Sequence, residues 1–83
     1  MSTTITTQAG AIALAQLRQM CANGEAQAIR ENARLSAADC ARHVGVGRAL
    51  IRRWERGDVR PTGNRAMAYL VLLEDLACRF PNP

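Results

Sequence analysis

Lysine is absent from the 83 residues, and aromatic residues are scarce, with one Trp, one Tyr and one Phe. A core with so few aromatics must rely on Ala, Leu, Val, Ile and Met, which suits closely packed helices and argues against an aromatic-rich β-sandwich. Cysteine is limited to Cys21, Cys40 and Cys78, odd in number and with no C-x-x-C pair. Neither a zinc site nor a disulfide framework is therefore expected. Each cysteine falls within an apolar helical pattern and reads as a small buried hydrophobe, which implies a reducing cytoplasm. Basic residues are missing before Arg18, and the longest apolar run, Ala66 to Leu73, spans eight residues. A bilayer needs roughly 20, so neither secretion nor membrane insertion is expected. Ser2 and Ser36 are the only serines and His43 the only histidine. No nucleophile–base arrangement follows from them, so we expect no catalytic residue, no enzymatic activity, no metal, no cofactor and no small-molecule ligand.

Arginine is plentiful by contrast. All eleven basic residues are arginine, set against seven acidic ones, for a net charge of +4 and a pI near 9.8. The guanidinium fork matches phosphate and guanine, although a GC-rich genome alone would also favour arginine codons. The distribution says more than the total. Residues 42–65 hold seven arginines against Glu55 and Asp58, a net +5, while the rest of the chain sums to −1. A polyanion such as nucleic acid would offset that concentration.

Residues 1–7 are Ser/Thr-rich, uncharged and without periodicity, and read as a loose flexible tail. Residues 8–80 then form a single domain of about five helices, an all-α compact bundle. The first helix covers 8–22, with Ala13, Leu14, Leu17, Met20 and Cys21 on one arc and Asn23-Gly24 as its stop. A second runs from Glu25 to about Arg34, with Ala26, Ile29 and Ala33 at core spacing. Ser36 opens a third through Ser36-Ala37-Ala38-Asp39, a capping box with Asp in place of Glu, and Gly45 stops it. His43 sits in its last turn, where a partial positive charge is favoured. The fourth covers Arg48 to Arg56 and is closed by Gly57; the fifth runs from about Asn64 to Arg79, before Pro81.

Only Val44-Gly45-Val46-Gly47 separates the third helix from the fourth. Helices joined so tightly through glycine cross steeply and leave one projecting. On a wheel of about 100° per residue the projecting helix divides cleanly: Arg48, Ala49, Arg52, Arg53 and Arg56 lie on one side, and Leu50, Ile51 and Trp54 on the other. Trp54 therefore reads as core. Glu55 falls at the edge of the apolar arc and needs a partner.

The stretch from Arg30 to Leu73 resembles the lambda-repressor-like, Xre/Cro-type helix-turn-helix domains of bacteria and their phages. The matching residues are Ile29-Arg30-Glu31, Leu35-Ser36, Ala41 with Val44-Gly45-Val46, Ile51 with Trp54-Glu55-x-Gly57, and Arg60-Pro61-x-Gly63. The resemblance implies a family-like core over 25–80, with helix 48–56 as the recognition helix in the major groove. It implies base readout by Arg48, Ala49 and Arg53, joined by Arg52 on the same exposed arc. The DNA phosphates are expected to meet Ser36, Ala37, Arg42, Gly47, Arg56, Arg60 and Arg65. A structural ion pair is implied between Glu55 and Arg30. Two positions depart from the family: Ala37 stands where glutamine often reaches the backbone, and Gly47 where serine often opens the recognition helix. Many relatives carry a further helix after the one ending near Arg79, a place the extra helix 8–22 is expected to fill.

The fifth helix is apolar nearly all round, so we expect a homodimer whose interface includes Tyr69, Leu72 and Leu76, with helix 8–22 as an alternative interface. Taken together, the expected function is a sequence-specific, double-stranded DNA-binding transcriptional regulator, a Cro-like repressor acting on a pseudo-palindromic operator. Two alternatives stay open at this point: a protein-interaction module of the antitoxin or polymerase-binding kind, and a non-specific architectural DNA binder.

Overall fold

The computed structural model describes residues 2–81 of the chain, and side chains from Gln8 onward. Five helices follow one another: α1 (Ser2–Ala22), α2 (Glu25–Asn32), α3 (Ala37–Val44), α4 (Arg48–Arg56) and α5 (Gly63–Arg79). Among the described residues there is no strand. The expected all-α bundle is the fold.

Helix α1 reaches back to Ser2, so the backbone of 2–7 is helical where a loose tail is expected; Met1 lies outside the described residues. The reason is that Ser and Thr each cost helix only a few tenths of a kcal/mol, and no proline interrupts the run. At the other end, α2 stops at Asn32, two residues short of expectation, because Arg34 takes a left-handed φ of 62° and turns the chain toward α3. Non-glycine residues seldom adopt that conformation.

All five helices contribute to one core. Leu17, Met20 and Cys21 of α1, Ala26 and Ile29 of α2, Cys40, Ala41 and Val44 of α3, Ile51 and Trp54 of α4, and Ala66, Tyr69, Leu70, Leu73 and Leu76 of α5 are buried together. The periodicity of α1 is thus explained: Leu17, Met20 and Cys21 face inward, and α1 packs on α2, α4 and α5. Cys21 and Cys40 are buried free thiols, and desolvation pushes Cys21 up to about 11, which makes it an unreactive hydrophobe. Cys78 departs from expectation. It is exposed, since it lies on the outer face of α5. Among the described residues, no helix is long and apolar enough to cross a membrane.

Candidate nucleic-acid interface

The local sequence builds the α3–α4 pair from both ends of each helix. Ser36 adopts extended backbone; its hydroxyl accepts from the Asp39 amide at 3.0 Å while the Asp39 carboxylate accepts from the Ser36 amide at 3.1 Å. The capping box read from the sequence is complete, and hydrogen bonding from Ser36, its backbone amide first, holds the Asp39 carboxyl below its ordinary range. Gly45 closes α3 at φ 88°, where both its own amide and that of Val46 bond the Ala41 carbonyl. Gly47 then takes the N-cap position of α4 without a side-chain bond. Gly57 ends α4 at φ 78°, with Asp58 and Val59 amides bonding back to Arg53.

Between those caps α4 is divided as its wheel requires. Arg48, Ala49, Arg52, Arg53 and Arg56 are exposed, while Ile51, Trp54 and Glu55 are buried. Ser36, Ala37 and Ala38 at the start of α3 share one open cleft with Arg48, Arg52 and Arg56 of α4. The start of a helix carries a partial positive charge and free amides, so cleft and arginine face together form a cationic surface suited to phosphate. Ala37 itself is buried and can offer only its backbone there.

Behind that surface, Glu55 is held in a dry site with both charges satisfied. The Arg30 guanidinium donates twice to the Glu55 carboxylate, at 2.6 and 3.0 Å, and once to the Leu35 carbonyl at 2.9 Å. The pair implied by the resemblance is present, and the bond to Glu55 pushes the Arg30 pKa upward. A third member escaped the sequence. Tyr69 donates its hydroxyl to Glu55 Oε2 at 3.0 Å, and its ring stacks on Trp54 with centroids 5.6 Å apart. Burial and the adjacent carboxylate drive the Tyr69 pKa far up, so the phenol stays a donor. Among the described residues no buried side-chain nitrogen or oxygen lacks a partner. Arg52 also leans toward Glu55, 3.9 Å away.

Tyr69 and Leu76 consequently do not belong to a dimer interface. Tyr69 is fully buried and Leu76 is 8% exposed, both spent inside the protomer's own core. Of the three residues expected there only Leu72 retains surface, beside Val71, which is 61% exposed. The five-helix packing buries more of α5 than its composition suggests, because α1, α2 and α3 all dock on it.

The arginines expected at phosphate divide into three groups. Arg42 is paired with Asp39 at 2.5 Å and Arg56 with Asp58 at 3.1 Å, both in exposed pairs that a phosphate could displace at little cost. Arg60 is exposed on the loop after α4. Arg65 differs, since its guanidinium donates to the Val44 carbonyl at 3.1 Å and lies across the turn between α3 and α4. Among the described residues there is no cluster of potential metal ligands.

A tightly linked helix pair, with one helix locked on its inner face and cationic on its outer face, is the architecture of a helix-turn-helix module. Residues 24–74, well over half of the chain, match a family model described as a helix-turn-helix domain, and the protein belongs to that family. Helix α1 falls outside the matched segment. Membership supports DNA as the partner, consistent with the Xre/Cro-type resemblance. No curated protein and no solved structure matches the chain.

Proposed function

We propose that the protein is a sequence-specific transcriptional regulator of the Xre/Cro type, a Cro-like repressor of bacterial or phage origin. It acts in the cytoplasm, where a reducing environment keeps its cysteines free. The observation that carries this reading is the division of α4: a five-residue exposed arc with four arginines, backed by a buried face that fixes the helix. A merely solvated face would intersperse acids among those arginines. Helix α4 enters the major groove. Arg48 and Arg53 read guanine through O6 and N7, Ala49 contacts a thymine methyl or base-pair edge, and Arg52 divides its time between base and phosphate. The α3 N-terminus at Ser36 and Ala37, the Gly47 backbone, Arg42, Arg56 and Arg60 hold the phosphates.

Two copies bind together as a homodimer, placing two α4 helices about one DNA turn apart on a pseudo-palindrome. The surface left on α5 for a second copy is the stripe containing Val71 and Leu72, and no enzymatic activity or cofactor is part of this reading. Selection from random-sequence duplexes tests it directly. A defined two-part motif is the expected result, with affinity falling steeply as salt rises, a log–log slope on the order of −4 per protomer. Salt-sensitive binding with no motif would make the protein architectural, and absence of binding would leave it an interaction module.

A further inference from the structure

We propose that Arg65 and Arg18 are positioning residues that strap the two segments flanking the recognition helix to the rest of the bundle, and that neither is a phosphate contact. The inference deepens the DNA-binding reading above and rests on it for its functional meaning, though the straps themselves are tested without DNA.

A helix leaves the carbonyls of its last turn without intrahelical partners. At the end of α3 the Ala41 carbonyl is taken by the amides of Gly45 and Val46. The Val44 carbonyl, at the same helix end, accepts from Arg65 Nη1 at 3.1 Å. That bond joins the first turn of α5 to the four residues that set how α4 leaves α3, and it brings a positive charge to the negative end of α3. The fit is close. A Cβ built on Gly45 would lie 2.1 Å from Arg65 Nη1, so the guanidinium occupies the space a side chain would need. Gly45 is thus required for its φ of 88°, and a side chain added there would also have to displace the arginine lying over it.

The far end of α4 is treated alike from a different helix. Arg18 of α1 donates Nε to the Pro61 carbonyl at 3.1 Å. Pro61 is buried, and Arg18 lines a small pocket with Trp54, Gly57, Val59 and Arg60. The strap therefore fixes the loop that follows α4 and carries Arg60. Both straps originate outside the α3–α4 pair and both end on backbone carbonyls, so they orient α4 whatever its exposed side chains are.

Amide hydrogen exchange on the DNA-free protein tests the pair. Arg65→Met keeps the aliphatic stem and removes the donors; it should speed exchange at Gly45 and Val46 by about tenfold while Gly57, Asp58 and Val59 keep their protection. Arg18→Met should do the reverse. Uniform loosening of the whole bundle, or no change at the residue's own end, would overturn the proposal. Combining Arg65→Met with Gly45→Ala supplies a control, because the φ strain is common to both backgrounds: the glycine substitution should cost less once the guanidinium is gone. Equal cost in both backgrounds counts against the strap at Val44.

A second readout uses a 30-base-pair duplex of arbitrary sequence. Arg60→Met should flatten the salt dependence by about one unit, as loss of a phosphate contact does, whereas Arg65→Met and Arg18→Met should lower affinity and leave the slope unchanged. A slope reduced by about one in Arg65→Met would make it a phosphate ligand and sink its assignment. If the unaltered protein binds no duplex at all, the DNA-binding reading fails and the exchange data still decide the straps.

Discussion

The inner and outer faces of α4 carry charge on entirely different terms. Inside, Arg30, Glu55 and Tyr69 form a buried set in which each polar side-chain atom has a partner. Outside, Arg48 and Arg53 stand in solvent, and Arg52 and Arg56 make only long or exposed ion pairs. The inner charges specify where the helix sits. The outer charges specify what it meets. One nine-residue helix can serve both purposes because its period places the two sets on opposite sides.

The contrast gives its largest effect on the inner face. Arg30→Ala strands the buried Glu55 carboxylate and should destabilise the fold by about 3 kcal/mol in urea unfolding. Replacing both Arg30 and Glu55 with apolar residues should cost less than the two single changes together, and additive losses would show that the pair is not coupled. On the outer face the same type of change should act on binding alone. Arg53→Ala and Arg48→Ala should each weaken the preferred duplex by about 2 kcal/mol and relax preference at one base pair. Their folding stability should move by no more than about 0.5 kcal/mol. Equal losses on preferred and scrambled duplexes would remove these residues from base readout.

A finer probe returns to the interior. Tyr69→Phe keeps the ring stack on Trp54 and removes one hydrogen bond to a charged acceptor, so a loss of about 1.5 kcal/mol is expected. No measurable loss would mean that Arg30 satisfies Glu55 unaided. The smallest effect belongs to an exposed carboxylate. Asp39 has its folded pKa lowered, first by the Ser36 amide, so its contribution is present above the unfolded value near 3.9 and lost as pH falls through the folded value. Asp39→Asn should therefore be less stable than the parent at pH 6, with the gap closing below about pH 4. A gap that persists at pH 2 would mean that the cap does not depend on ionisation.

Legibility in the sequence followed the range of each interaction. The Ser36 and Asp39 box, the Gly45 and Gly57 caps and the two-sided pattern of α4 depend on residues within one or two turns, and all are where the periodicity places them. The bond between Arg30 and Glu55 spans 25 positions, and a resemblance was needed to pair them. Tyr69 was misassigned because α5 is apolar nearly all round, so its wheel could not say which side meets α1, α2 and α3. One signal was present: a tyrosine amid aliphatics must find a partner for its hydroxyl, and Glu55 was the carboxylate in need. The contact made by Arg65 was hidden for a related reason. Its charge marks it as cationic surface, while its actual bond is to a backbone carbonyl that no sequence pattern displays.

The sole tryptophan sits at 3% exposure, stacked on Tyr69 on the side of α4 turned away from solvent. Nature has thereby placed an optical reporter behind the helix. Its emission should stay blue-shifted and almost unmoved when a duplex docks on the arginine side, then shift to longer wavelength as the bundle opens. Fluorescence of the unlabelled protein would thus follow unfolding in the presence of nucleic acid with little interference from the ligand, and binding would have to be watched from the DNA.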